Sequence, residues 1–369
     1  MRILATILYF SLSWYSLNAA NTLVQSTKQS FVLNHTEAAT LQVQSANFTS
    51  APIKVNLTNV APFLNVGLNW QINQTNACKV WLRASTDANN WDEWQPLSID
   101  VDMTDPNSNI LKSSLVFLAA NTQYVQYKID NYSTENIVEA VEVFFISPGA
   151  TPKHIQNHID DYGYFSAAKT TGDCDMPDII TREQWNSICP PTQLCTGSPT
   201  IDPSTTHIAV HHSASSTYNV SDFAAAVRGF QSYHVENNGW SDIGYNFLID
   251  PNGVIYEGRA GGDRSRGAHF CGQNGKIMGI CMIGTYSDID PTSAMLSSLG
   301  KLTAWKCYKE GIDPKKYSYH AASNENLYGI VGHRDACETS CPGNKMYAAL
   351  PHIRNIATTF LQDTNNDGI

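Results

Sequence analysis

Apolar and polar positions alternate along the first third of the chain. Ile53-Lys54-Val55-Asn56-Leu57, Lys79-Val80-Trp81-Leu82-Arg83, Tyr124-Val125-Gln126-Tyr127-Lys128-Ile129 and Val141-Glu142-Val143-Phe144-Phe145 alternate or concentrate β-branched and aromatic residues, with Asn, Asp, Ser and Thr turns between them. That is the pattern of short, half-buried strands, and no helical period of useful length interrupts it. Residues 21–148 are therefore expected to form an all-β sandwich domain. Residues 87–94 read as a hairpin tip carrying Trp91 and Trp94. The pair offers either a platform for stacking polysaccharide rings or a packed sandwich edge, and edge packing is the preferred reading.

Residues 149–175 have the Pro, Gly and Asp-Asp content of a linker, with Tyr162, Tyr164 and Phe165 available to dock part of it. From residue 176 the pattern changes to mixed α/β. Thr206-His207-Ile208-Ala209-Val210-His211 is a buried-type strand, and Ser221 can cap a helix running to about Asn237, with Phe223, Val227, Phe230 and His234 at helical spacing. Pro251-Asn252-Gly253 joins two strands in a hairpin. Residues 277–286 form a further apolar strand, residues 293–310 an amphipathic helix stopped by Gly311, and residues 344–360 a helix interrupted at Pro351. The expectation for residues 176–362 is one α/β domain with a central mixed sheet flanked by helices.

Composition narrows the setting. A hydrophobic content of 42% supports packed cores, and a net charge of −10 without any basic stripe argues against a nucleic-acid partner. Met1-Arg2, an apolar run over residues 3–17 and small residues at Ala19 and Ala20 make residues 1–20 a secretory signal peptide. No later window is apolar enough for a membrane span, so the mature chain is expected to be secreted or periplasmic and not an integral membrane protein. Nine cysteines fit one thiolate reserved for metal and up to four disulfides, with Cys189 and Cys195 the best local pair. Residues 363–369 match the first half of a calcium loop but lack its closing carboxylate, so they read as a polar tail.

The candidate chemistry gathers at Gly332-His333-Arg334-Asp335-Ala336-Cys337-Glu338-Thr339-Ser340-Cys341-Pro342-Gly343. An imidazole and a thiol eight residues apart are good zinc ligands, and Pro342 suggests that Cys341 stands at a helix N-terminus, which favours the thiolate. The third ligand must come from elsewhere. His211-His212 ends a strand, where α/β sheets gather their sites, and His211 was the reasonable choice as a continuation of Ile208 and Val210, although the residues alone do not separate it from His212. His207, His234 and His352 read as structural. Asp335 either orients a ligand histidine or pairs with Arg334.

Six blocks occur in one order: His207-Ile208-Ala209-Val210-His211-His212-Ser213-Ala214, residues 239–249 (Gly-Trp-Ser-Asp-Ile-Gly-Tyr-Asn-Phe-Leu-Ile), Tyr256-Glu257-Gly258-Arg259, Gly267-Ala268-His269, residues 279–284, and Gly332-His333-Arg334-Asp335 with Cys341-Pro342-Gly343. Together with Ile180-Thr181-Arg182-Glu183-Gln184-Trp185 they resemble the peptidoglycan recognition protein family and the related N-acetylmuramoyl-L-alanine amidases of the phage lysozyme type, over about residues 176–362. The resemblance implies His211, His333 and Cys341 as zinc ligands with an open fourth position, Tyr245 as a catalytic hydroxyl, and Thr339 where phage enzymes carry a catalytic Lys. It further implies peptidoglycan or muropeptides as partner. His269, Arg259 and Asn246 are expected to meet substrate, with buttressing of a loop the other reading of His269; Arg259, Arg264 and Arg266 share a Gly-rich loop and are either stem-peptide contacts or solvated loop charges. The expected activity is hydrolysis of the amide between N-acetylmuramic acid and L-alanine by a secreted enzyme. A non-catalytic peptidoglycan-binding recognition protein is the alternative.

Overall fold

The computed structural model describes residues 23–24, 30–35, 47–72, 78–102, 108–130, 138–166, 174–217 and 220–366. The expected signal peptide and the end of the polar tail, residues 367–369, lie outside the described residues.

Residues up to 146 supply two antiparallel sheets. One contains β1 (Leu23–Val24), β2 (Ser30–His35), β5 (Phe63–Ile72), β8 (Ile110–Lys112), β9 (Val116–Ala119) and β11 (Val138–Ile146), in the order β1-β2-β11-β5-β8 with β9 also on β5. The other contains β3 (Asn47–Thr49), β4 (Ile53–Lys54), β6 (Lys79–Ser85), β7 (Gln95–Pro96) and β10 (Tyr124–Asp130). Alternate residues of both sheets, among them Leu64, Val66, Leu68 and Trp70 of β5 and Leu82, Val125 and Tyr127 opposite, share one core.

The residues of β5 that point the other way are also buried. Phe63, Asn65, Gly67 and Asn69 face the second half of the chain, and Phe63, Phe117, Phe144 and Ile146 join one cluster with Phe223, Val227, Phe230 and Tyr233. A strand buried on both faces lies between two layers. The first sheet is therefore sandwiched between its partner sheet and a helix from the α/β part. The stretch expected to be a linker contains a helix, α1 (Lys153–Ser166), whose Ile159 enters the same shared cluster.

The α/β part is a five-stranded sheet in the order β14-β13-β15-β12-β18, formed by β12 (His207–His212), β13 (Phe247–Ile249), β14 (Ile255–Glu257), β15 (Ile277–Met282) and β18 (Ile330–Gly332). Strands β16 (Tyr317–His320) and β17 (Glu325–Tyr328) make a separate hairpin. β12 lies between β15 and the edge strand β18 and pairs in parallel with both; only the β13–β14 hairpin is antiparallel. α2 (Phe223–Ser232) is capped by Asp222, one residue beyond the expected Ser221, because the Asp222 carboxylate accepts the Ala225 N–H, and the helix continues as a π-helical turn over Tyr233–Asn237. α3 (Ser293–Glu310) ends at Gly311 in the left-handed region, as its sequence predicts. α4 (Asn344–Asn366) is continuous through Pro351, whose ring faces solvent, so the expected interruption is absent. No helix among the described residues is long and apolar enough to cross a membrane.

Candidate metal centre

Register builds the site. β12 pairs with β18 through Ile208↔Ile330, Ala209↔Val331 and Val210↔Gly332. One step further places His211 beside His333, and their ring centroids are 4.5 Å apart. Parity then separates the two histidines. Ile208 and Val210 face α3 and α4, and His212, on the same side, turns away so that its Nδ1 accepts the Tyr286 N–H at 3.3 Å. His211 shares the opposite face with Ala209. His211 therefore does not continue the 208/210 alternation, because strand side chains repeat every second residue; it is the partner strand that brings it to His333.

Cys341 follows in the loop after β18. Its Sγ lies 3.8 Å from His211 Nδ1 and accepts the His212 backbone N–H at 3.3 Å. α4 starts at Asn344, so Cys341 is not at the helix N-cap that Pro342 suggests. One ligand atom each from His211, His333 and Cys341 lie within 4.8 Å of one another, and all three residues are buried. This set could hold a metal ion. Two other sulfur-bearing groups of similar compactness are closed to metal because Cys189–Cys195, the expected local pair, and Cys271–Cys337 are disulfides.

The imidazoles are held neutral. Burial pushes His211 well below its ordinary value and His333 down to about 3. His211 Nε2 is 3.0 Å from His269 Nδ1, which leaves His211 Nδ1 facing Cys341 as the ligating nitrogen. His333 Nε2 faces Asp102 Oδ2 and Cys271 Sγ, each at 3.5 Å, which leaves its Nδ1 for an ion. Burial pushes the Cys341 thiol up, opposed by the His212 N–H. A cation would supply the missing compensation, since a metal drives ligand deprotonation.

The flanking residues sort clearly. The Tyr245 ring is 5.3 Å from that of His211, and burial raises its hydroxyl well above its ordinary value. Thr339 Oγ1 accepts the Cys341 N–H at 3.2 Å and so shapes the ligand loop. Asp335 takes neither expected role: its carboxylate accepts the Gly332 N–H and the Tyr347 hydroxyl.

The three residues expected to meet substrate are buried in the structure. His269 is buried beneath His211 rather than lining a groove. Arg259 donates to the Ile243 carbonyl and to Ser241 Oγ. Asn246 donates to the Ser265 carbonyl and accepts the Gly279 N–H. Each is buried with internal partners, while Arg259 Nε and His269 Nε2 have none among the described residues. Arg264 and Arg266 are paired with Glu310 and Asp202. His207 and His234 have internal partners, the first edge-on to His320 and the second accepting the Gly244 N–H, whereas His352 is exposed on α4. The Arg83 guanidinium covers both Trp91, at 4.7 Å, and Trp94, at 4.4 Å, which matches edge packing and leaves the polysaccharide platform without support. Asp102 is the residue at this centre that no sequence motif marks.

The family model described as N-acetylmuramoyl-L-alanine amidase matches residues 202–344. A peptidoglycan recognition protein of Trichoplusia ni is 34% identical over 194 residues, covering 50% of this chain and 90% of that protein. Peptidoglycan-recognition protein LB of Drosophila melanogaster is 31% identical over 186 residues, covering 49% of this chain and 72% of that protein. An N-acetylmuramoyl-L-alanine amidase of Homo sapiens is 33% identical over 150 residues, covering 39% of this chain and 24% of that protein.

Proposed function

Because the chain belongs to the peptidoglycan recognition protein and N-acetylmuramoyl-L-alanine amidase family, we propose that it is a secreted zinc-dependent amidase cleaving the amide between N-acetylmuramic acid and L-alanine of peptidoglycan. The observation that carries the reading is the complete cluster of His211, His333 and Cys341. Zn–N bonds of about 2.0–2.1 Å and a Zn–S bond of about 2.3 Å at a tetrahedral angle put nitrogen and sulfur roughly 3.5 Å apart. The 3.8 Å between His211 Nδ1 and Cys341 Sγ fits that spacing. Three protein ligands leave the fourth position of a catalytic site. A binding-only recognition protein is the alternative, and it would be expected to lack one of these ligands.

A zinc ion held there supplies Lewis acidity toward a water and the scissile carbonyl. The chain's own residues do the rest. Burial keeps both imidazoles neutral, so each offers a lone pair. Burial also keeps Tyr245 a phenol, able to donate to the oxyanion that develops at the carbonyl. Thr339 holds the Cys341 backbone and cannot serve as a base. Secretion is supported by the signal-peptide pattern of residues 1–20 and by the two disulfides. We read residues 21–148 as a β-sandwich unit joined to the amidase domain through the shared cluster.

The test is stem-peptide release from purified peptidoglycan, followed by mass spectrometry. Wild type with zinc should release peptides bearing a free L-alanine amine, while His211→Ala and Cys341→Ala should lower the rate by at least about a thousandfold. Wild type that sediments with the polymer yet releases nothing would establish the binding-only reading instead.

A further inference from the structure

We infer that Asp102, delivered by the N-terminal sheets, is a positioning residue of the metal centre: its carboxylate receives His333 Nε2 and so turns His333 Nδ1 toward the ion. The inference rests on the zinc reading above and adds that the β-rich unit is a working part of the site.

The turn that carries Asp102 is fixed at both ends of its reach. Ile99 bridges to Ser113, the Asp100 N–H donates to the Lys112 carbonyl at 2.9 Å, and the Asp102 N–H donates to Asp100 Oδ1 at 3.1 Å. These bonds tie the turn to β8 at the sheet edge. β8 is in turn joined to the α/β part, where Lys112 Nζ donates to Asn238 Oδ1 at 3.1 Å. The carboxylate then meets two groups of the metal centre. Asp102 Oδ1 accepts the Cys271 N–H at 2.8 Å, and Oδ2 lies 3.5 Å from His333 Nε2, with the Asp102 and His333 side chains only 6% and 2% exposed. Cys271 is disulfide-bonded to Cys337 in the same loop as Cys341, so the carboxylate grips both sides of the ligand set. The 3.5 Å separation exceeds an ordinary hydrogen bond by about half an ångström, so the two groups meet as a close buried contact.

The chemistry explains why a carboxylate belongs there. An imidazole that binds a metal through one nitrogen carries its proton on the other, and an acceptor at that proton fixes both tautomer and ring plane. His211 has His269 for this purpose. For His333 the other neighbour of Nε2 is Cys271 Sγ, a disulfide sulfur and a poor acceptor. Asp102 is the strong acceptor on that side.

The experiment measures zinc affinity of the full chain by competition with a chromophoric chelator, for wild type, Asp102→Ala, Asp102→Asn and Asn69→Ala. Asn69 bonds Asn237 across the same interface without approaching the metal centre, so its variant reports docking alone. Asp102→Ala should weaken zinc binding by about 10–100-fold, the usual effect of losing such a partner. Asp102→Asn keeps the shape and an acceptor oxygen, should lose about tenfold, and carries the comparison if the alanine variant does not fold. Asn69→Ala should bind zinc like wild type. Zinc binding by Asp102→Asn and Asp102→Ala within threefold of wild type would overturn the role, as would an equal loss in Asn69→Ala. Faster peptide release by Asp102→Ala at unchanged zinc affinity would make the turn a lid instead, and overturn it too. A wild type that takes up no zinc would sink the zinc reading together with this one, which distinguishes the two failures.

Discussion

Gly67→Ala tests whether the two halves of the chain fold as one body. Gly67 lies on the face of β5 turned toward the π-helical turn, where a Cβ would stand 2.4 Å from Tyr233 Cε2 and 2.5 Å from its Cζ and hydroxyl oxygen. Non-bonded carbons pack at about 3.5–4.0 Å, so a methyl group overlaps the ring by more than an ångström. The ring has nowhere to go: Tyr233 is fully buried, packs edge-on against Phe144 and donates to the Ser113 carbonyl at 3.0 Å. Overpacking costs about 1–3 kcal/mol, and losing the hydrogen bond adds about 1 kcal/mol. The expected destabilisation is about 2–4 kcal/mol, or roughly 4–8 °C in Tm at about 2 °C per kcal/mol for a chain of this size. Thermal melts measure the loss, and hydrogen exchange should show α2 loosening although the substitution is in the other half. Tyr233→Leu removes the ring tip, so the double variant should be less destabilised than the sum of the singles by at least about 1 kcal/mol. A Gly67→Ala melt within 1 °C of wild type would refute the packing and with it the shared core.

Asp242→Ala removes the partner of fully buried Arg182, an ion pair at 3.0 Å, and should cost about 3–5 kcal/mol in urea unfolding; replacing both residues with apolar ones of similar volume should recover much of it. His269→Ala removes the group at His211 Nε2 and should weaken zinc binding by about 10–100-fold, with activity partly restored by excess zinc. Acid should destabilise the fold between pH 6.5 and about 3, because burial holds the His234 pKa down to about 3 and only the unfolded chain takes up its proton in that window. His234→Gln removes that titration, so the slope of stability against pH should flatten by up to about 1.4 kcal/mol per pH unit; an unchanged slope would count against a neutral His234.

The ligand set is legible because its signals are local or ordered. His333 and Cys341 share one loop, and the block around His211 marks a strand end. What decides between His211 and His212 is a partner strand, and a single strand does not reveal which of its faces holds the site. The burial of Arg259 and Asn246 is hidden for a related reason: their partners are largely backbone carbonyls and N–H groups, which have no sequence identity to recognise. Asp102 shows the limit most plainly. Its bond to Cys271 joins residues 169 apart, and one Asp in an Asp-rich polar stretch carries no pattern of its own. The docking of the first sheet is written only in the second apolar face of β5, where Asn and Gly look like strand polarity until Tyr233 and Gly229 arrive against them.

The place of β12 between β15 and β18 also sets an order of assembly. Its partner β18 is the edge strand nearest the chain's end, and the ligands His211 and Cys341 are 130 residues apart in sequence. Parallel pairing over such a separation forms late, since the intervening chain must close before any contact rewards it. A nascent chain that has made β12 holds one ligand and has no competing partial site within that strand. Metal capture by this cluster would therefore be a property of the finished sheet, and metal uptake during refolding should lag the burial of β12 and report the moment at which β18 docks.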